Sequence, residues 1–185
     1  MTDFKMVVEK QNGTATLWDQ DSYLGSQTYS SGGICGPLAA KWMSARKLGQ
    51  SFVAEMSQQE AREEVMQLRM NQNHEGDNFV ANYLAMFGLR RAQTGYYKDN
   101  VSIGSVMANA TSGYGFFFIG LLQEADDKPG HAFAVCSEAN SYQFFDPNFG
   151  EARFGVAEDA RKAFIDWFRL IYLHLNGPAV TEYYL

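Results

Sequence analysis

Cys35, His131 and Asp146 are the residues whose types and order could carry nucleophilic chemistry. Cys35 stands in Ser30-Ser31-Gly32-Gly33-Ile34-Cys35-Gly36-Pro37, a glycine-rich turn that leads into a helical pattern. Proline is favoured at the first helical position, so Pro37 predicts a helix with Gly36 as its cap and Cys35 beside it. A thiol there feels the positive end of the helix dipole and the free N–H groups, both of which favour the thiolate. Small neighbours would also let a substrate backbone come close. Taken alone, the position fits a buried structural cysteine equally well.

His131 and Asp146 gain meaning as a pair. Their segments are joined by Ser137-Glu138-Ala139-Asn140, which reads as a turn. If Glu138 and Ala139 form a two-residue loop, with Ser137 opposite Asn140, then His131 lies directly opposite Asp146. Opposed residues of neighbouring strands have Cβ atoms about 4.5–5.5 Å apart on one face. At that separation a carboxylate can orient an imidazole and stabilise its cation. A one-residue slip would send the two to opposite faces. Each also has a plainer reading: His131 as a strand-start histidine without a task, and Asp146 as a turn residue before Pro147. The same alternation sets Cys136 apart. It is five residues from His131 and faces the other way, which suits a small core hydrophobe. His74, in the polar run from Asn71 to Asn78, reads as a solvated loop residue. His174 ends the last helical pattern, where a cation suits the dipole.

These residues need elements to hold them. Asp3 to Lys10 and Thr14 to Trp18 read as short strands around an Asn12-Gly13 turn, and Asp19 to Gly33 as a loop. Pro37 to Leu48 is helical, with Leu38, Trp42 and Ala45 on one face. Ser57-Gln58-Gln59-Glu60 fits a capping box that opens a helix to about Asn71. Asp77 to Phe87 makes another, stopped by Gly88, and Ile103 to Ala110 a short one. Tyr114 to Leu122, His131 to Ser137 and Tyr142 to Asp146 have strand composition. Glu158 to Leu175 closes with a helix whose stripe is Phe164, Trp167, Phe168 and Ile171. The expected fold is α+β, with N-terminal helices on a mainly antiparallel sheet and a C-terminal helix. One domain spans 1–185: a helical part over about 35–111, a sheet part over about 114–155 and a closing helix over about 157–175. The aromatic clusters, 15% of the chain, read as core between the sheet and the last helix; Tyr96-Tyr97 and Tyr183-Tyr184 read as exposed contacts.

Composition narrows the function. The chain has 185 residues, enough for one well-filled core. It is 46% hydrophobic and 19% charged, which excludes intrinsic disorder. A net charge of -6 argues against binding nucleic acid. The strongest apolar run, Gly113 to Leu122, is far short of a membrane span, so no integral membrane segment is expected. The first residues do not resemble a signal peptide. Two cysteines and three scattered histidines support no disulfide framework, metal site or cofactor.

A cysteine at a helix start, followed by a distant His and Asp, is the order of a thiol nucleophile with its base and orienter. Gly33-Ile34-Cys35, with Leu38 and Trp42 downstream, resembles the nucleophile segment of the YopT-type cysteine proteases, which include AvrPphB. Gly130-His131-Ala132 resembles their His segment. The string Phe144-Phe145-Asp146-Pro147-Asn148-Phe149-Gly150 resembles their Asp segment and is the most specific of the three. The resemblance implies a papain-like fold, a catalytic triad of Cys35, His131 and Asp146, and a monomeric bacterial effector that cleaves a host protein. Such a protein would leave the bacterial cytoplasm for the host cell by a route without a signal peptide. With Cys35 so near the start, a delivery region is expected to be minimal. An oxyanion hole would use the Cys35 N–H and an upstream side chain. Papain-like enzymes typically place Gln six residues before the Cys, where this chain has Tyr29; Gln27 and Ser30 are the alternatives, Gln27 preferred for its fixed amide donor. Two other functions fit the same residues: a transglutaminase-like acyl transferase or protein glutamine deamidase, and a non-catalytic binding module.

Overall fold

The computed structural model describes residues 2–20, 33–76, 78–96, 103–122, 129–172 and 176–184. Helix α1 (Thr2–Lys10) leads to strand β1 (Thr14–Leu17), then to four helices: α2 (Cys35–Lys47), α3 (Phe52–Met56), α4 (Gln59–Glu75) and α5 (Asn78–Ala85). Strand β2 (Arg90–Tyr96) and helix α6 (Ile103–Ala110) precede a meander of β3 (Gly115–Leu122), β4 (Pro129–Glu138), β5 (Ser141–Asp146) and β6 (Gly150–Phe154). Helix α7 (Ala157–Ile171) and strand β7 (Asn176–Tyr184) follow. The strands form one antiparallel sheet in the order β1-β6-β5-β4-β3-β7-β2. The α+β class with N-terminal helices and a C-terminal helix is as the sequence predicts. The sheet is wider: β2 lies inside the expected helical part, and β7 follows the closing helix. Tyr96, Tyr183 and Tyr184 lie in these two strands, and Tyr97 and His174 lie outside the described residues.

The N-terminal segment corrects the hairpin reading. Phe4 and Val8 are fully buried while Met6 is exposed. Strand alternation would put all three on one face, whereas helical spacing separates Met6 from the pair. The chain therefore buries Phe4 and Val8 as a helix stripe, with Lys5 and Glu9 paired on its outside at 3.6 Å. Asn12, at φ 58°, still makes a turn. Nor does the capping box form. The Ser57 hydroxyl donates to Ala54 O at 2.6 Å as α3 ends, and α4 starts from Gln58 with no side-chain cap.

Alternation along the central strands divides the core between both faces of the sheet, so the aromatic clusters do not all lie under the last helix as expected. Phe116, Ala134, Cys136 and Phe145 point to the side covered by α2, α4 and α5. Their neighbours Phe117, Phe133, Val135 and Phe144 point to the side covered by α1, α6 and α7. Of the closing stripe, Phe164 and Trp167 are buried and Phe168 and Ile171 half-buried against the same cluster. α2 is enclosed from Gly36 to Ala45. Its one buried cation, Lys41, donates to Glu55 Oε2 of α3 and Glu64 Oε2 of α4, each at 2.8 Å. Burial disfavours the ammonium, but the bonds and charges of both carboxylates outweigh it and raise the Lys41 pKa. Tyr83 of α5 donates to Glu64 Oε1 at 2.8 Å and shares a 2.9 Å hydrogen bond with Ser44. Polar as well as apolar contacts thus fix this helix against its neighbours.

Trp42 shows how tightly α2 is held. It has no exposed surface and stacks on Phe145 at 5.7 Å between ring centroids and 6° between planes. It therefore belongs to the core rather than lining a cleft. Trp42→Ala is expected to lower unfolding free energy by about 3–5 kcal/mol, the range for truncating a buried large aromatic. Urea melts check this; a loss below about 1 kcal/mol would contradict the packing.

Candidate active site

Cys35 is the first residue of α2, which begins two residues earlier than Pro37 suggests. Ile34 is the cap residue, and the first helical bond runs from Leu38 N to Ile34 O at 3.0 Å. Pro37 still falls in the first turn, where no backbone donor is needed. The same rule leaves the Cys35 and Gly36 N–H groups without acceptors inside the helix. Gly33 takes φ 65°, a conformation that favours glycine, and so turns the chain into the helix. Gly36 has a different use from the expected open approach for a substrate. A Cβ there would lie 3.2 Å from the Phe79 ring and 3.6 Å from Gln72 Nε2. Its small size lets α4 and α5 pack close to the cysteine.

The His–Asp pairing forms by another register than the one expected. The tight turn is Ala139-Asn140, with Asn140 at φ 55° and Glu138 opposite Ser141. Asparagine tolerates this left-handed conformation far better than a β-branched residue does. The ladder pairs Ala134 with Phe145, so one step on Asp146 comes opposite Phe133, not His131. The shift is two residues, which preserves the face. His131 and Asp146 are therefore diagonal neighbours on the α7 side, and their side chains still meet.

The imidazole bridges the other two groups. His131 Nδ1 lies 3.2 Å from Cys35 Sγ and Nε2 lies 3.1 Å from Asp146 Oδ1. Asp146 has no exposed surface and His131 only 5%. The carboxylate accepts further bonds from Asn148 N to Oδ1 at 2.9 Å, and from Trp167 Nε1 to Oδ2 at 3.0 Å. The Tyr172 hydroxyl donates to Oδ2 at 3.0 Å and lies 3.1 Å from His131 Nε2. Its ring stacks on the imidazole at 4.7 Å and 15°. Burial opposes the imidazolium, but the bonds to Asp146 and Cys35 and their charges outweigh it, raising the His131 pKa to about 10. The pair of partners thus favours the imidazolium beside the sulfur.

The Asp146-Pro147-Asn148-Phe149-Gly150 string now has a physical account. Asn148 caps the carboxylate with its backbone and donates from Nδ2 to the Tyr172 hydroxyl at 3.2 Å. Phe149 packs edge-on against Trp167 at 4.4 Å. At Gly150, with φ 126°, a Cβ would lie 2.1 Å from Thr16 O, so only glycine lets β1 pair there. Trp167 and Tyr172 are the site residues the sequence reading does not assign. Trp167 is visible in the α7 stripe, but its indole donor is not. Gln27, Ser30 and Tyr29 lie outside the described residues. Cys136 is buried on the α2 side, away from the imidazole, and His74 sits exposed in the last turn of α4 rather than in a loop.

The fold and this site define a class: an α+β domain with a thiol, an imidazole and a buried carboxylate in line. The peptidase C58 family model, described as Yersinia/Haemophilus virulence surface antigen, matches residues 106–170, which include His131 and Asp146. The Pseudomonas avirulence protein AvrPphB has a similar structure, with a TM-score of 0.65 at 15% identity over 93% of this chain and 97% of that one. PatoxP, a cysteine protease-like domain of the Photorhabdus asymbiotica toxin PaTox, gives 0.60 at 13% identity over 98% of this chain and 57% of that one. A search of curated proteins gives no match. The structural likenesses show that this chain has the α+β fold of AvrPphB, and the match to the peptidase C58 model spans β3 to β6 and most of α7.

The two thiols are free and differ sharply in setting. Cys35 is partly exposed beside His131, whereas burial above all pushes the Cys136 thiol up to about 12. Limited iodoacetamide at pH 7 is expected to label Cys35 at least about tenfold faster than Cys136, since the thiolate is the reacting form. Peptide mapping by mass spectrometry reads the ratio; preferential labelling of Cys136 would overturn this assignment.

Proposed function

We propose that this chain is a cysteine protease with Cys35 as nucleophile, His131 as general acid–base and Asp146 as orienter. The observation that carries the reading is the imidazole held between Cys35 Sγ at 3.2 Å and Asp146 Oδ1 at 3.1 Å. Nδ1 faces the sulfur, so the Nδ1 proton is the one that moves, while Nε2–H stays with the carboxylate. The thiolate attacks the carbonyl carbon of the scissile amide, and the tetrahedral oxyanion takes a hydrogen bond from the Cys35 N–H. Collapse expels the amine, which leaves with the Nδ1 proton, and forms a thioester. Nδ1 then takes a proton from water, whose attack on the thioester releases the acid and restores the thiolate beside the imidazolium. Gln27 or Ser30 would supply the second oxyanion donor.

The substrate in this reading is a host protein and the chain a bacterial effector. The matched family is described by a virulence surface antigen, and the similar structures are an avirulence protein and a toxin domain. In this reading the chain is delivered from the bacterial cytoplasm into the host cell. Among the described residues, no helix is long and apolar enough to cross a membrane.

Intact-mass analysis of candidate host proteins incubated with wild-type and Cys35→Ala protein tests the function. Two fragments that sum to the substrate plus water are expected with wild type only. A shift of about one dalton per site would instead mean deamidation, and a mass addition acyl transfer; either overturns proteolysis. His131→Ala is expected to abolish cleavage. Asp146→Asn is expected to slow it by about 10²–10⁴-fold with circular dichroism unchanged. Full activity in either folded variant would refute the triad.

A further inference from the structure

Tyr172 follows α7 directly, and its hydroxyl meets three polar groups around the Nε2 side of the imidazole. Its hydroxyl lies 3.0 Å from Asp146 Oδ2, 3.1 Å from His131 Nε2 and 3.2 Å from Asn148 Nδ2. A phenol has one proton to give and lone pairs to receive. Asp146 can only accept and Asn148 Nδ2 can only donate, so the hydroxyl proton goes to Asp146. The oxygen then turns its lone pairs towards Asn148 Nδ2–H and His131 Nε2–H. Burial first, then the nearby Asp146 charge, raises the Tyr172 pKa and keeps this hydroxyl protonated.

The ring adds a steric constraint. It lies nearly parallel to the imidazole at 4.7 Å, while Phe133 closes the edge at 4.6 Å and 84°. Phe133 and Phe168 in turn pack on Tyr172 at 5.1 and 6.2 Å. The imidazole is therefore confined to the plane in which Nδ1 meets Cys35.

We propose that Tyr172 is a positioning residue of this site: its ring fixes the imidazole plane, and its hydroxyl supports the imidazolium by accepting from Nε2–H while donating to Asp146. This deepens the catalytic reading and rests on it only for turnover; the effect on the thiol–imidazole pair does not depend on any substrate. Among the described residues, the titratable groups facing the imidazole are Asp146 of β5, Cys35 of α2 and Tyr172 itself. The sign follows from the hydroxyl dipole. Its oxygen, the negative end, faces His131, so removing it disfavours the imidazolium and lets the ring lose its proton at lower pH.

Tyr172→Phe isolates the hydroxyl because the stacking ring stays. The probe is iodoacetamide, with alkylation of Cys35 followed by mass spectrometry from pH 5 to 11. The upper inflection of the rate marks the pH at which the imidazolium is lost. The upper inflection is expected to move down by about one pH unit in Tyr172→Phe, as for the loss of one charge-assisted hydrogen bond. An unmoved or raised upper inflection in the folded variant overturns the proposal. If circular dichroism shows that Tyr172→Phe does not fold, Tyr172→Met, which keeps a long apolar side chain, takes the same test with the same two outcomes. A shifted inflection in a protein that cleaves nothing would leave the role of Tyr172 standing and defeat the protease reading alone.

Discussion

The site depends on one buried carboxylate. Asp146 has no exposed surface, and an ionised carboxylate without water is tolerated only when its lone pairs are filled. His131 Nε2, Asn148 N, Trp167 Nε1 and the Tyr172 hydroxyl fill them. Each donor comes from a different place: β4, the turn after β5, the middle of α7 and the residue following it. Satisfying this one side chain brings those segments to a common point. The charge that remains is directed at the Nε2 side of the imidazole, whose Nδ1 faces the sulfur.

The rest of the fold supports that point from both faces. Trp167 reaches Asp146 while Phe4 and Phe149 pack edge-on and at 5.0 and 4.4 Å against its ring. Helix α1 thus buttresses a catalytic candidate more than 140 residues away in sequence. On the other face, Lys41, Trp42 and Gly36 anchor α2 to α3, α4, α5 and β5, which fixes where Cys35 begins the helix. The nucleophile and its partners come from opposite sides of the sheet and meet at the strand ends. Neither layer alone contains the thiol–imidazole contact.

Much of this was legible from residue patterns, and the gaps have physical causes. Cys35 could be singled out from the glycine turn before a helix start, and His131 with Asp146 because alternation fixes a face even when the register is wrong by two. The exact register depended on Asn140 accepting φ 55°, a choice that Glu138-Ala139-Asn140 alone leaves open. Residues 3–10 are short enough that periods of two and 3.6 compete, and only the burial of Phe4 and Val8 decides. The capping box at Ser57 lost to the close of α3, whose last turn uses that hydroxyl. Trp167 and Tyr172 were hidden for a different reason. An aromatic in an apolar stripe looks the same in sequence whether or not its polar atom finds a buried carboxylate.

The central claim is that Asp146 keeps the His131 imidazole charged beside Cys35. Nuclear magnetic resonance of ¹⁵N-labelled histidine reads this directly, because ring nitrogen shifts follow protonation. Titration of His131 in the wild-type protein is predicted to have its midpoint near 10, because the bonds and charges of Asp146 and Cys35 outweigh burial. Asp146→Asn removes the carboxylate charge and is predicted to bring that midpoint down by more than about one unit. A wild-type midpoint near the ordinary histidine value, or one that Asp146→Asn leaves in place, would contradict the account.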